Sequence, residues 1–182
     1  MLAVSSSAVS ATLARVSSLL GRRLVRVGAA TALGVSIAAG ISVAGGGVAA
    51  AAPVMCVSPP SDNDIQVSDT ASCGAKATDA GFARASAMDS GTAVSVSNGE
   101  GSSTTTFANG YGTSLGTSTR SGQAYAISLG GGIARSAAVD GATTVAIAGW
   151  GSGATVDPTG VDCVGALSLA FDLSTGQFCA MR

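Results

Sequence analysis

The sequence predicts an all-β fold, a β-solenoid of roughly ten-residue strand-turn units with disulfide-stapled ends. Three observations carry that expectation. From Gly81 to Gly160 a glycine closes a segment about every ten residues, at Gly81, Gly91, Gly101, Gly112, Gly122, Gly132, Gly141, Gly151 and Gly160. That period is too short for a helix pair and suits a six-residue strand with a tight turn. Between the glycines, small side chains alternate with larger ones, and four cysteines bracket the repeat without interrupting it.

Residues 1–51 read as an export signal. Arg15, Arg22, Arg23 and Arg26 precede an apolar stretch from Val27 to Val48, which ends in Ala49-Ala50-Ala51-Ala52-Pro53. Ala49 and Ala51 are the small residues a signal peptidase needs, so the mature chain is expected to start near Ala52. The stretch is long enough to span a bilayer, but its many glycines and the Ala-x-Ala site argue for cleavage over anchoring. Cys56 lacks the small-residue context of lipid attachment. The expected destination is the medium or the cell envelope, with a mature chain that does not span a membrane.

Loss of the signal would remove four of nine basic residues and none of the ten acidic ones. Lys76, Arg84, Arg120, Arg135 and Arg182 then face ten carboxylates, a net charge of −5. Such a body has no electrostatic footprint for nucleic acid.

Residues 52–74 read as an N-terminal cap, 75–160 as the glycine-punctuated repeat and 161–182 as a C-terminal cap hairpin. Cys56, Cys73, Cys163 and Cys179 make an even count, as expected of disulfides in an exported chain. The long body between the two pairs favours Cys56 with Cys73 and Cys163 with Cys179. Each loop closure is worth roughly 3 kcal/mol in the chain-entropy model. No Cys-x-x-Cys pair is present for a metal site, and neither metal nor cofactor is expected.

Within the repeat one parity is small, as in Ala83, Ala85 and Ala87, or Ala124, Ala126 and Ser128. The other holds Phe82, Val94, Leu115, Tyr125, Ile127 and Ile133 together with Arg84 and Arg135. Burying the second face would bury two arginines that have no repeated carboxylate opposite them, at several kcal/mol each. The small face is therefore expected inward, allowing the sheets to approach closer than the usual ~10 Å. Phe107, Val145 and Ile147 break the small-residue rule on this reading and are expected to fill wider places.

A ten-residue period also fits an antiparallel β-meander or sandwich. Asn98-Gly99, Asn109-Gly110 and Asp140-Gly141 are hairpin-type turn signals that speak for it. The similarity of successive units and their small inward residues speak for stacked coils.

The alternation of small residues with regular glycine resembles the head repeats of trimeric autotransporter adhesins, whose repeat is longer and whose coiled-coil stalk has no counterpart here. The AAAAP signal end, followed by a small, cysteine-capped, glycine- and alanine-rich body, resembles the uncharacterised exported proteins of actinobacteria. The first resemblance implies surface contact as a role. The second brings no catalytic residues.

Asp79, Asp89, Glu100, Asp140 and Asp157 sit at or beside corners, where aspartate serves turns, and the calcium-binding nonapeptide pattern is not matched. Trp150 lies between two glycines and can either cover a corner or stack on a sugar. Tyr125, Ile127 and Leu129 form an apolar stripe on the outward face and, with Trp150, are the candidate contact surface.

The expected function is that of a non-catalytic structural or interaction protein of the envelope or its surroundings, bound to an envelope protein or a glycan. The alternative is a small carbohydrate-active enzyme or ligand-binding module on the same scaffold. An enzyme would need an acid and base gathered on one face, and the basic residues of the repeat are scattered. An outer-membrane barrel would need longer strands and aromatic girdles.

Overall fold

The structure is a computed structural model that describes residues 52–182. The signal reading of residues 1–51 lies outside the described residues. The described chain is all β, in fourteen strands and no helix. They are β1 (Val54–Ser58), β2 (Asn63–Ser68), β3 (Ala71–Thr78), β4 (Phe82–Met88), β5 (Thr92–Asn98), β6 (Ser103–Asn109) and β7 (Thr113–Thr119). The series continues with β8 (Gln123–Leu129), β9 (Ile133–Ala138), β10 (Thr143–Ala148), β11 (Gly153–Asp157), β12 (Gly160–Val164), β13 (Ser168–Asp172) and β14 (Phe178–Met181).

From β3 to β11 successive strands alternate between two seven-stranded sheets, which is the signature of a flattened solenoid of about four turns. The first sheet runs β1-β4-β6-β8-β10-β13-β14 and the second β12-β11-β9-β7-β5-β3-β2. Within the body every neighbouring pair is parallel: β4 with β6, β6 with β8 and β8 with β10 in the first sheet. In the second, β3 pairs with β5, β5 with β7, β7 with β9 and β9 with β11. The meander is thereby excluded, because its neighbours would be antiparallel. Antiparallel pairs occur only at the ends, where β1, β2, β12, β13 and β14 close the stack. The boundary expected at residue 75 falls inside β3, itself the first parallel strand of the body.

The hairpin-type turn signals are used as corners. At Thr78–Gly81, Met88–Gly91, Asn109–Gly112, Thr119–Gly122, Leu129–Gly132 and Val139–Ala142 the fourth residue's N–H donates to the first residue's carbonyl. Both central residues have positive φ, as a type I′ turn requires: 52° and 62° at Asp79 and Ala80, 52° and 77° at Asp140 and Gly141. A turn that reverses a hairpin within one sheet here carries the chain from one sheet to the other. The residue that closes the corner then enters the interior, and an added Cβ at Gly91 would lie 2.5 Å from the carbonyl oxygen of Ala108. Contacts of this kind account for Gly81, Gly91, Gly112, Gly122 and Gly132, whereas Gly101, Gly141 and Gly151 sit one residue earlier in their corners at positive φ.

The small face is inward, as the arginine argument requires. Ala83, Ala85, Ala87, Ala93, Ala124, Ala126, Ala134 and Ala146 are fully buried, and Val156 is the largest side chain with no appreciable exposure. Arg84 and Arg135 lie on the outer faces. The expectation for Phe107, Val145 and Ile147 is corrected: all three point outward, and the inward positions beside them are Thr106 and Ala108, then Thr144, Ala146 and Ala148. The parity of these strands is unbroken, so the interior has no wide places to fill.

The gap between the sheets is set by its contents. Cys56 of β1 bonds Cys73 of β3 across the gap with the Cα atoms 5.8 Å apart, and Cys163 of β12 bonds Cys179 of β14 at 6.0 Å. Ordinary stacked sheets stand ~10 Å apart. Both disulfides thus cross from sheet to sheet at the two ends.

Hydroxyls span the same gap in the body. Ser95 Oγ and Thr106 Oγ1 share a hydrogen bond at 3.0 Å, Ser114 Oγ donates to Ser128 Oγ at 2.9 Å, and Ser136 Oγ meets Thr144 Oγ1 at 2.8 Å. Among the described residues no buried side-chain nitrogen or oxygen lacks a partner. A polar interior is tolerable only on that condition.

Candidate outer contact face

Parallel, in-register stacking turns a twenty-residue repeat into columns of side chains on the outer faces. On the first sheet Phe107, Ile127, Ile147 and Leu169 stand side by side on β6, β8, β10 and β13. The neighbouring column holds Thr105, Tyr125, Val145, Phe171 and Phe178 on β6, β8, β10, β13 and β14. Like apolar side chains stacked across strands support the sheet locally and leave a continuous apolar surface.

From β6 to β14 the strands present no charged side chain on this face, and the Tyr125 hydroxyl donates to Gln123 Oε1 at 3.4 Å. Arg84 of β4 stands beside Thr105 at one margin, and Arg182, just past β14, lies beside Leu169 and Ile147 at the other. The opposite face is different in kind. There Lys76, Arg135, Asp157 and Asp162 are interspersed among Val94, Val96, Leu115 and Ile133.

The structure brings the four candidate contact residues to one side of the molecule. Tyr125 and Ile127 are half-buried in their columns, and Leu129 at the end of β8 is exposed. Trp150 occupies the corner after β10. Its indole lies on Gly130, where an added Cβ would be 2.5 Å from the ring, yet 76 % of the residue is exposed. Leu129, Ile147, Trp150, Leu167, Leu169 and Met181 line a shallow cleft at this edge. The indole therefore covers a corner with one face and leaves the other open.

Sequence reasoning did not place Phe107, Val145, Ile147, Leu169, Phe171 and Phe178 on this surface. Counting strictly by twos from Ala146 would have put Val145 and Ile147 outward. No sequence period links β13 and β14 to the repeat, because they join it antiparallel.

The corner carboxylates do not converge. Among the described residues no group of three His, Cys, Asp or Glu side chains could hold a metal ion. Asp140 pairs with Arg120 at 2.6 Å one coil away, with both side chains exposed. Asp157 is held below the ordinary aspartate range mainly by hydrogen bonds from the Thr159 hydroxyl and backbone N–H. At Asp172, burial pushes the carboxyl up, and hydrogen bonds from Ser174 and Thr175 outweigh it, so the group lies below its usual value. Its Oδ1 accepts the Ser174 N–H at 2.8 Å and hydroxyl at 2.6 Å, fastening the β13–β14 loop. Both aspartates are turn fasteners.

A search of the curated proteins and of the solved structures finds no match to the chain. One family model matches residues 20–182, nearly the whole length including every strand described above, and its description is "Family of unknown function (DUF6764)". With the match running through both disulfide-stapled ends, the chain belongs to that family.

Proposed function

We propose that the protein is an exported, non-catalytic interaction module whose first-sheet outer face holds an envelope protein or a glycan. The observation that carries the reading is the pair of columns through Ile127 and Val145, which carry no charged side chain from β6 to β14 and meet Arg84 only at their β4 margin. Exposed contiguous apolar surface on a soluble body usually marks an interface. Two disulfides fit an oxidising compartment. A flat sheet of stacked strands offers a rigid template that loses little conformational entropy on binding. Trp150 and Tyr125 add aromatic surface suited to the face of a sugar ring as well as to an apolar side chain.

The test is retention in fractionated cells of the native chain and of the Ile127→Ser/Ile147→Ser variant, with thermal melts of both. The expected result is envelope retention of the native chain and release of the variant to the medium, with stability changed by no more than about 1 kcal/mol. Equal partition of the two chains, or a native chain wholly free in the medium, overturns the reading.

A further inference from the structure

The two ends of the stack treat their sheet edges differently. At the N-terminal end β2 extends the second sheet beyond β1, and its inward side chains reach across to the backbone of that edge strand. Asp64 Oδ2 accepts the N–H of Val57 at 2.9 Å, and Gln66 Nε2 donates to the carbonyl of Met55 at 2.7 Å. These are two of the groups through which another strand would pair. Side chains laid over an edge are a recognised way of blocking strand addition.

At the C-terminal end no side chain among the described residues does this. Asp172 N–H donates to the Gln177 carbonyl, which sets the alternation of the β13–β14 pair. Gln177, Cys179 and Met181 face β13 with their backbone groups, whereas Phe178 and Ala180 turn theirs to the open edge. Neither residue's edge-facing N–H or carbonyl has a hydrogen-bond partner among the described residues. Their side chains lie on the outer face, and Phe178 is 72 % exposed.

We propose that this edge pairs with the same edge of a second copy, joining the first sheets of two molecules into one continuous sheet. Antiparallel pairing centred on Cys179 puts Phe178 opposite Ala180 of the other copy, and Ala180 opposite its Phe178. Both are then hydrogen-bonded pairs, which closes four backbone hydrogen bonds about a two-fold axis. Each phenyl ring is set against a methyl group, a large-to-small fit on the outer face. A two-fold pairing uses the same edge of both copies, and the covered β1 edge cannot extend the first sheet at its other end, so the joined sheet closes as a dimer and not a fibre. This inference does not rest on the proposed function, since it uses the strand edge and not the sheet face.

The test is sedimentation of the full chain with both disulfides formed, at concentrations up to about 100 µM. Hydrogen exchange at the Phe178 and Ala180 amides is followed over the same range. A dimer is expected, with protection of those two amides rising with concentration. Ala180→Pro removes an N–H that faces away from β13. It should raise the dissociation constant at least about tenfold with an unchanged melt of the monomer. Phe178→Lys keeps the backbone intact and serves where the proline variant does not fold. A monomer at every concentration overturns the proposal, and so does a dimer that persists in the lysine variant.

Discussion

The hydroxyl oxygens of Thr104 and Ser118 lie 2.7 Å apart between strands of opposite sheets, in the interior of the solenoid. Thr104 also donates to the carbonyl of Val96 at 2.8 Å, and Ser118 donates to Ser97 Oγ at 3.0 Å. Both residues are fully or almost fully buried. Thr104→Val keeps the shape and deletes the hydroxyl, removing its hydrogen bonds to the Val96 carbonyl and to Ser118 Oγ, which keeps Ser97. A loss of about 1–3 kcal/mol is expected in denaturant melts. Ser118→Ala added to Thr104→Val should cost less than the sum of the two single changes, because either change alone already removes the bond between the two hydroxyls.

The narrow gap makes the interior intolerant of volume. Ala126→Leu, in the middle of β8, is expected to lower stability by at least about 1–3 kcal/mol, since neither sheet can move without breaking corner hydrogen bonds. Gly91→Ala should do comparable damage through its contact with the Ala108 carbonyl. Gly74→Ala is the control: nothing lies within 4 Å of an added Cβ there, and its φ is ordinary. Equal melting temperatures for Gly91→Ala and Gly74→Ala would show that the corner glycines are not kept by this contact.

Each disulfide closes a loop of similar length, with separations of 17 and 16 residues. Replacing either pair by serine is expected to cost roughly 3 kcal/mol. Access differs between the two. Cys56 and Cys73 are buried, whereas Cys163 and Cys179 are half-buried. Mild thiol treatment followed by alkylation and mass mapping should therefore label Cys163 and Cys179 first.

The carboxyls of Asp157 and Asp172 are both held below the usual aspartate range in the folded chain by hydrogen bonds from their turns. A depressed folded pKa stabilises the native state above the unfolded pKa and is lost as pH falls through the folded value. Stability should accordingly be level from neutral pH to about pH 5 and decline below about pH 4. In urea melts across that window Asp172→Asn should show a shallower decline than the native chain. A parallel decline would remove Asp172 from the acid response.

The period of glycines was enough to set strand length, and the arginines on the larger parity were enough to say which face is inside. The cysteine pairing followed from the long body between Cys73 and Cys163. The choice between solenoid and meander was less legible, because Asn109-Gly110 and Asp140-Gly141 favour positive φ at both central residues whichever way the next strand goes. Only long-range pairing, Thr113 with Ile133 and not with a strand of its own hairpin, separates the two. The contact face was partly hidden for a related reason. Phe107, Ile127 and Ile147 are spaced by twenty residues and meet only when alternate strands share a sheet.

An interior of alanine, serine and threonine also shapes the thermal behaviour of the chain. The heat capacity of unfolding rises with apolar surface delivered to water and falls with polar surface. Here each strand releases methyl groups and hydroxyls in place of isobutyl and aromatic side chains, so the increment per residue falls below the usual ~12–15 cal/mol/K. A correspondingly flat stability curve is expected, with cold and heat acting weakly over a wide span. A molten globule keeps its compactness through bulky apolar contacts, and the interior of this stack has almost none to keep.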